Sequence, residues 1–385
     1  MFLCALVISV HVDAQWVSTW ATAAEFTGPG DMPSRPLTDR SLREIVKVSV
    51  GSDCFRLRLS NEFSKEPVEI KSIYVADALD SCDIDRRTAK NLTFGGKKSF
   101  SIEPGKCAIS DVCKYNLKPL QRLSITICYG STPVNATSHR GSRTTSYLMD
   151  GVSKPGKPFV ATERVVHWYN IASIDVPVHG QECIAVLGNS ITDGRGSTTD
   201  LQNRWPDIMA NTLAESGKAY CMLNLGIGGN CVVRGGLSEP ALKRFDRDIL
   251  AQEGVTTLVI FEGINDIGGS KGRSEQMAQE LIKAFQEMMA KARARGLKVY
   301  LATITPFGKS FYDDSFFKEA ARQTVNQWIR TNKEADGYID FDELMRDPEH
   351  PSQLREDLQE DWLHPNAKGY QVMGEYAAKS LLKKL

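Results

Sequence analysis

Two rhythms of apolar and polar residues divide the chain near its middle. Between Trp16 and Val178 the apolar residues alternate with polar ones in short runs: Leu42–Val50, Cys54–Ser60, Val68–Val75, Arg122–Cys128 and Val165–Tyr169. A period of two turns one face of a strand toward a core and the other toward solvent, and the Gly, Pro, Asp and Ser clusters between the runs read as turns. The pattern predicts an antiparallel β-sandwich or jelly roll with no helix interrupting it.

From Glu182 onward the rhythm changes. Apolar stretches at Ile184–Leu187, Met222–Leu225, Thr257–Phe261, Val299–Thr303 and Tyr338–Phe341 read as buried strands. Between them apolar residues recur every three or four positions: Met277, Leu281, Phe285, Met288 and Ala292, then Phe317, Ala321, Val325, Trp328 and Ile329. That spacing predicts helices, and residues 366–385 predict a last one. Strands that are apolar on both faces, alternating with helices, imply an α/β domain whose parallel sheet is covered on both sides.

The N-terminus adds a third segment. Phe2 to Val10 is apolar but too short to span a bilayer, and Val12-Asp13-Ala14 follows with small residues at cleavage spacing. The organisation expected is therefore an export signal over residues 1–14, a β-rich domain over 15–178 and an α/β domain over 179–385. A secreted or periplasmic location follows from the signal, and no later run is long enough for an integral membrane segment.

Charge narrows the partners. The 47 basic residues balance 47 acidic ones, which leaves no electrostatic footprint for nucleic acid. Of nine cysteines, Cys4 lies in the leader; Cys183 and Cys221 sit in apolar stretches that suit buried thiols, and Cys107 and Cys113 are close enough to bridge a loop. No CxxC, HExxH or regular Cys/His spacing is present, so neither a metal nor an organic cofactor is expected.

Candidate chemistry falls where open α/β sheets keep their working groups, at the carboxyl ends of strands. After the first strand comes Gly188-Asn189-Ser190-Ile191-Thr192-Asp193-Gly194, which presents a serine at a glycine-flanked turn. Asn224-Leu225-Gly226-Ile227-Gly228-Gly229-Asn230 follows the second, and Gly263-Ile264-Asn265-Asp266 the third. Asp361-Trp362-Leu363-His364-Pro365 precedes the final helix. Taken singly, each has a plain reading: a helix cap, a glycine turn, an Asx turn, a surface histidine. Together they place Ser, Asp and His in one of the chain orders of a hydrolase triad, with two candidate oxyanion donors between.

These four blocks resemble those of the SGNH/GDSL hydrolases, over the stretch from Glu182 to the C-terminus. The resemblance implies a flavodoxin-like domain in which Ser190 is the nucleophile, His364 the base and Asp361 its orienting carboxylate. The oxyanion hole would be made by Ser190, Gly229 and Asn265. The β-rich half, through Trp16-Val17-Ser18-Thr19-Trp20-Ala21 and Arg58-Leu59-Ser60-Asn61, is similar to the accessory domain of a secreted bacterial branch. The expected substrate is a short-chain ester on a polysaccharide or oligosaccharide. A lipase or lysophospholipase is the second reading. A third is a glycan-binding protein using Trp16, Trp20, Phe55 and Tyr74. Arg204, Trp205, Arg234 and Phe307 flank the blocks as candidate substrate contacts. One departure stands out: Asn189 occupies the place of the aspartate in the family's Gly-Asp-Ser.

Overall fold

Apolar residues dominate the five strands of the C-terminal half, and Cys183–Gly188 and Thr257–Phe261, buried throughout, need cover on both faces. In the computed structural model, which describes residues 15–178, 180–312 and 315–382, the five form one parallel sheet. From edge to edge it runs Cys221–Gly226, Cys183–Gly188, Thr257–Phe261, Lys298–Ala302 and Gly337–Ile339. The first strand in the chain thus lies second in the sheet, the flavodoxin-like order. Connections leave Cys183–Gly188 and Thr257–Phe261 toward opposite edges. A crevice opens between their carboxyl ends, where ligands bind in such sheets. Every residue of Cys183–Gly188 is buried.

Helices Trp205–Glu215, Ser274–Ala294, Phe316–Thr331 and Ala367–Leu382 cover the faces. Two details differ from the sequence pattern. The last strand stops at Ile339 because the Asp340 side chain accepts from Glu343 N–H and starts the helix Phe341–Met345. Phe317 is 74% exposed, so the buried stripe of its helix is carried by Ala321, Val325 and Ile329.

The N-terminal half builds antiparallel sheets and only short 3-10 turns. One sheet centres on Ile171–Pro177 and Ser52–Ser60; the other centres on Arg40–Lys47, Arg122–Tyr129 and Val68–Asp77. Their inward residues, among them Leu42, Val46, Leu57, Leu59, Ile125 and Ile174, are fully buried and continuous with the core of the α/β half. The run Val165–Tyr169 is broken into Glu163–Val165 and Trp168–Tyr169, which pair with different sheets. A small third sheet of Trp168–Tyr169, Ala136–His139 and Glu25–Thr27 carries His139 toward the other domain.

The two halves are joined by specific bonds. Ser18 N–H donates to the Glu253 carbonyl at 3.0 Å, and Met222 N–H to Ser49 Oγ at 3.0 Å. The expected export signal lies outside the described residues. No helix among the described residues is long and apolar enough to cross a membrane. The eight described cysteines are all free thiols, so Cys107 and Cys113 form no bridge. Cys113 pairs instead beside Phe55 on the neighbouring strand.

Candidate active site

Ser190 opens a single helical turn, Ser190–Asp193, straight after the strand Cys183–Gly188. Asn189 caps that turn: its Oδ1 accepts from Ile191 N–H at 3.0 Å. Its Nδ2 donates to Glu262 Oε2 at 3.2 Å, a bond that an ionised aspartate has no hydrogen to make. This is what the departure at position 189 does. Glu262 is fully buried, and burial, opposed by Arg244 nearby, pushes its carboxyl up to about 8. The amide at position 189 adds no second titrating carboxyl to that space.

Three of the sequence-expected residues meet in a line. Ser190 Oγ lies 2.8 Å from His364 Nε2, and His364 Nδ1 lies 2.8 Å and 3.0 Å from the two Asp361 oxygens. The carboxylate accepts from Nδ1–H, which leaves Nε2 free to accept from the serine hydroxyl. Asp361 also accepts from the backbone N–H of Leu363 and His364, so the turn that carries the histidine is built around the group that orients it. Burial lowers the pKa of His364, Asp361 draws it up, and the charges of Arg195 and Arg143 press it down. The net position is below the ordinary histidine value, and the imidazole is neutral at neutral pH.

The remaining expected residues line the same cavity, of about 730 Å3. Ser190 N–H begins a helix and so has no partner in it, and neither it nor Gly229 N–H is bonded to the chain among the described residues. Gly229 has φ +66°, and a Cβ there would meet Leu237 at 2.7 Å, so the loop needs glycine at this point. Asn265 Nδ2 donates to the Asn230 carbonyl at 2.7 Å, and its Oδ1 accepts from the Tyr312 hydroxyl at 2.8 Å. A carbonyl only accepts, so the amide orientation is fixed, and the second Nδ2 hydrogen is left for a ligand.

Several participants are absent from the sequence reading. Asp266 accepts from Val232 and Val233 N–H at 2.8 and 3.1 Å, which ties the Gly229 loop to the Asn265 turn. Tyr312 holds Asn265. The largest omission is the contribution of the β-rich half. Asp193, three residues after Ser190, accepts from Arg143 Nη2 at 2.7 Å and from His139 Nε2 at 2.9 Å, both from that half. Gly141 lies so close to Asp193 that a Cβ would overlap its carboxylate. Burial alone would raise the Asp193 pKa, but Arg143 and His139 hold it below the usual carboxylate range. Arg143 also lines the cavity.

Other expectations change. Trp205 is fully buried beneath Phe261 and Phe341, Phe307 is buried, and Arg204 is held by Asp207 against the Trp168 ring. Only Arg234 of the four flanking residues lines the cavity. Trp20, Phe55 and Tyr74 are core residues closed to a sugar, and Arg56 lies over the Trp16 ring.

A model of the GDSL-like Lipase/Acylhydrolase family matches residues 186–372. Esterase TesA of Pseudomonas aeruginosa PAO1 is 30% identical over 123 residues, which is 32% of this chain and 54% of that relative, so the match spans about half of its length. Among solved structures, a GDSL-like lipase from Bacteroides thetaiotaomicron VPI-5482 is 20% identical, covering 54% of this chain and 92% of that one with a TM-score of 0.42. Est24, a carbohydrate acetylesterase from Sinorhizobium meliloti, is 14% identical, covering 53% and 100% with a TM-score of 0.42. The part of the chain that holds this serine, histidine and aspartate is thus similar to the GDSL-like lipase/acylhydrolase family, over residues 186–372.

Proposed function

We propose that the protein is a serine carboxylic-ester hydrolase that removes short acyl groups from saccharide chains outside the cytoplasm. The observation that carries the reading is the 2.8 Å contact between Ser190 Oγ and His364 Nε2, with Asp361 on the far nitrogen. Ser190 attacks the ester carbonyl while His364 takes its proton, then returns it to the leaving alcohol. Asp361 fixes the tautomer and stabilises the imidazolium. The tetrahedral oxyanion is held by Ser190 N–H, Gly229 N–H and Asn265 Nδ2, and water repeats the sequence to release the acid. Such donors each contribute roughly 10²–10³ in turnover. The residues account for every proton moved without a metal or organic cofactor.

A saccharide ester suits a cavity whose lining includes Arg143, Arg195, Arg234, Lys271 and Arg273. Export is supported by the apolar run Phe2 to Val10. The lipase reading keeps one observation in its favour: Leu237 and Phe311 line the cavity, yet are 72% and 73% exposed. A series of 4-nitrophenyl esters separates the two. Falling kcat/KM from acetate to octanoate is expected, whereas a maximum at octanoate selects the lipase.

A further inference from the structure

The charges around the cavity beside Ser190 do not follow the balance of the whole chain. Five cations line it, Arg143, Arg195, Arg234, Lys271 and Arg273, against two carboxylates, Asp266 and Asp361. Both carboxylates are committed inside the protein: Asp266 to the amides of Val232 and Val233, Asp361 to His364. Two of the cations are also paired, Arg143 with Asp193 at 2.7 Å and Arg234 with Glu280 at 2.6 Å. Arg195, Lys271 and Arg273 have no ion-pair partner among the described residues, and all three are exposed. The surplus is therefore positive, and it faces the reacting groups.

The placement matters as much as the sign. Arg143 comes from the β-rich half, Arg195 follows the nucleophile turn, and Arg234 lies in the loop after the second strand. Lys271 and Arg273 lead into the helix Ser274–Ala294. Arg143 and Arg195 stand close enough to bear on the His364 ring. Cations drawn from four segments around one cavity fit acid groups repeated along a chain better than one compact headgroup. Like-signed charges in a cleft also focus the field and raise the local concentration of an oppositely charged ligand.

We infer that this cavity takes esters borne on a polyanionic saccharide, a chain carrying uronate carboxylates, in preference to a neutral one. The inference rests on the ester-hydrolase reading and names its substrate class. Arg195, Lys271 and Arg273 pair with carboxylates on sugar units either side of the acylated one. Leu237 and Phe311 present apolar surface to the C–H faces of the rings. A long fatty chain lying across Lys271 and Arg273 would strip them of water, which is costly for unpaired charge.

The test uses the full-length protein and three substrates: O-acetylated polygalacturonate, the same polymer with its carboxylates methyl-esterified, and lysophosphatidylglycerol. Acetate release is followed for the polymers, fatty-acid release for the lipid, and 4-nitrophenyl acetate serves as a control ester. The expected result is a kcat/KM at least ~10-fold higher on the free-acid polymer, with the preference shrinking as salt is added. In the double variant K271E/R273E the ratio between the two polymers should fall toward one. Equal rates on the two polymers with 4-nitrophenyl acetate still hydrolysed would overturn this inference and leave the hydrolase reading standing. So would a preference that survives the double variant, or faster turnover of the lipid than of either polymer. No hydrolysis of any ester overturns both.

Discussion

Two histidine–aspartate pairs flank Ser190, and they behave in opposite ways. His364, on the turn before the last helix, has a carboxylate on one nitrogen and the serine hydroxyl on the other. His139, from the β-rich half, has the Ala23 carbonyl on Nδ1 at 3.0 Å and Asp193 on Nε2 at 2.9 Å. The carbonyl only accepts, and Asp193 is held ionised, so both ring nitrogens of His139 carry hydrogen. Burial would depress the His139 pKa, but the Asp193 bond and charge, with Glu25 behind, carry it above the ordinary histidine value. His364, with two arginines nearby, lies below that value. The same two residue types at nearly the same distance favour the neutral ring in one place and the charged ring in the other. What decides is the remaining neighbours: a hydroxyl and two guanidiniums, against a carbonyl and a second carboxylate.

The contrast is sharpest in single substitutions. Ser190→Ala and His364→Ala should each lower kcat on 4-nitrophenyl acetate by ~10³-fold or more, with little change in the urea midpoint. His139→Ala should do the reverse, since it leaves Asp193 and Glu25 short of a partner in the interior. A loss of about 3 kcal/mol of stability is expected, read from urea unfolding. If His139→Ala proved stable and inactive, the distinction between the two pairs would fail.

The pH dependence of stability follows from the same pair. Asp193, depressed, contributes above the ordinary carboxylate range and is lost as pH falls through its folded value. His139, raised, contributes below its unfolded value and is lost as pH rises through its folded one. The bridge is therefore strongest in between, in the mildly acidic range.

Glu262 carries the comparison beneath the serine, where a carboxyl meets an amide rather than an imidazole. Its pKa is raised, so the folded protein keeps a proton that the unfolded chain has released, and stability falls as pH rises toward about 8. Glu262→Gln should therefore stabilise the protein by roughly 1–3 kcal/mol at about pH 9, with no gain at about pH 4. Equal thermal midpoints for the two proteins at alkaline pH would rule out the buried acid.

The smallest effect expected is on the acid limb of activity. Arg143→Gln removes a cation near His364 and exposes the ring to more of the Asp193 charge. Both changes favour the imidazolium, so the acid limb of kcat/KM should move to higher pH. A limb that stays in place would mean that Arg143 acts on position alone.

Much of this was legible in the chain because it is local. Apolar runs without polar faces gave the parallel strands, and each block of the site lies within a few residues of a strand or helix end. Ser190, Asp361 and His364 announce themselves by residue type and order. Arg143 and His139 do not: they lie in a short alternating segment with no chemistry of its own, and their meaning comes from a partner about fifty positions away. The Arg140-Gly141-Ser142-Arg143 turn carries only a weak signal, two arginines around a glycine. Tyr312 and Asp266 were equally silent, since orienting Asn265 or a loop amide leaves no periodic trace. Trp205 and Phe307 flank the blocks in sequence yet pack into the core, since nearness to a block says nothing about which way a side chain faces.

The central claim is that His364 activates Ser190, and covalent trapping tests it most directly. The full-length protein is treated with a fluorophosphonate, digested, and the adduct located by mass spectrometry while its rate of formation is followed. A single adduct on Ser190 is expected, forming at least ~10²-fold more slowly in His364→Ala. An adduct on another residue, or equal labelling rates with and without the imidazole, would contradict it.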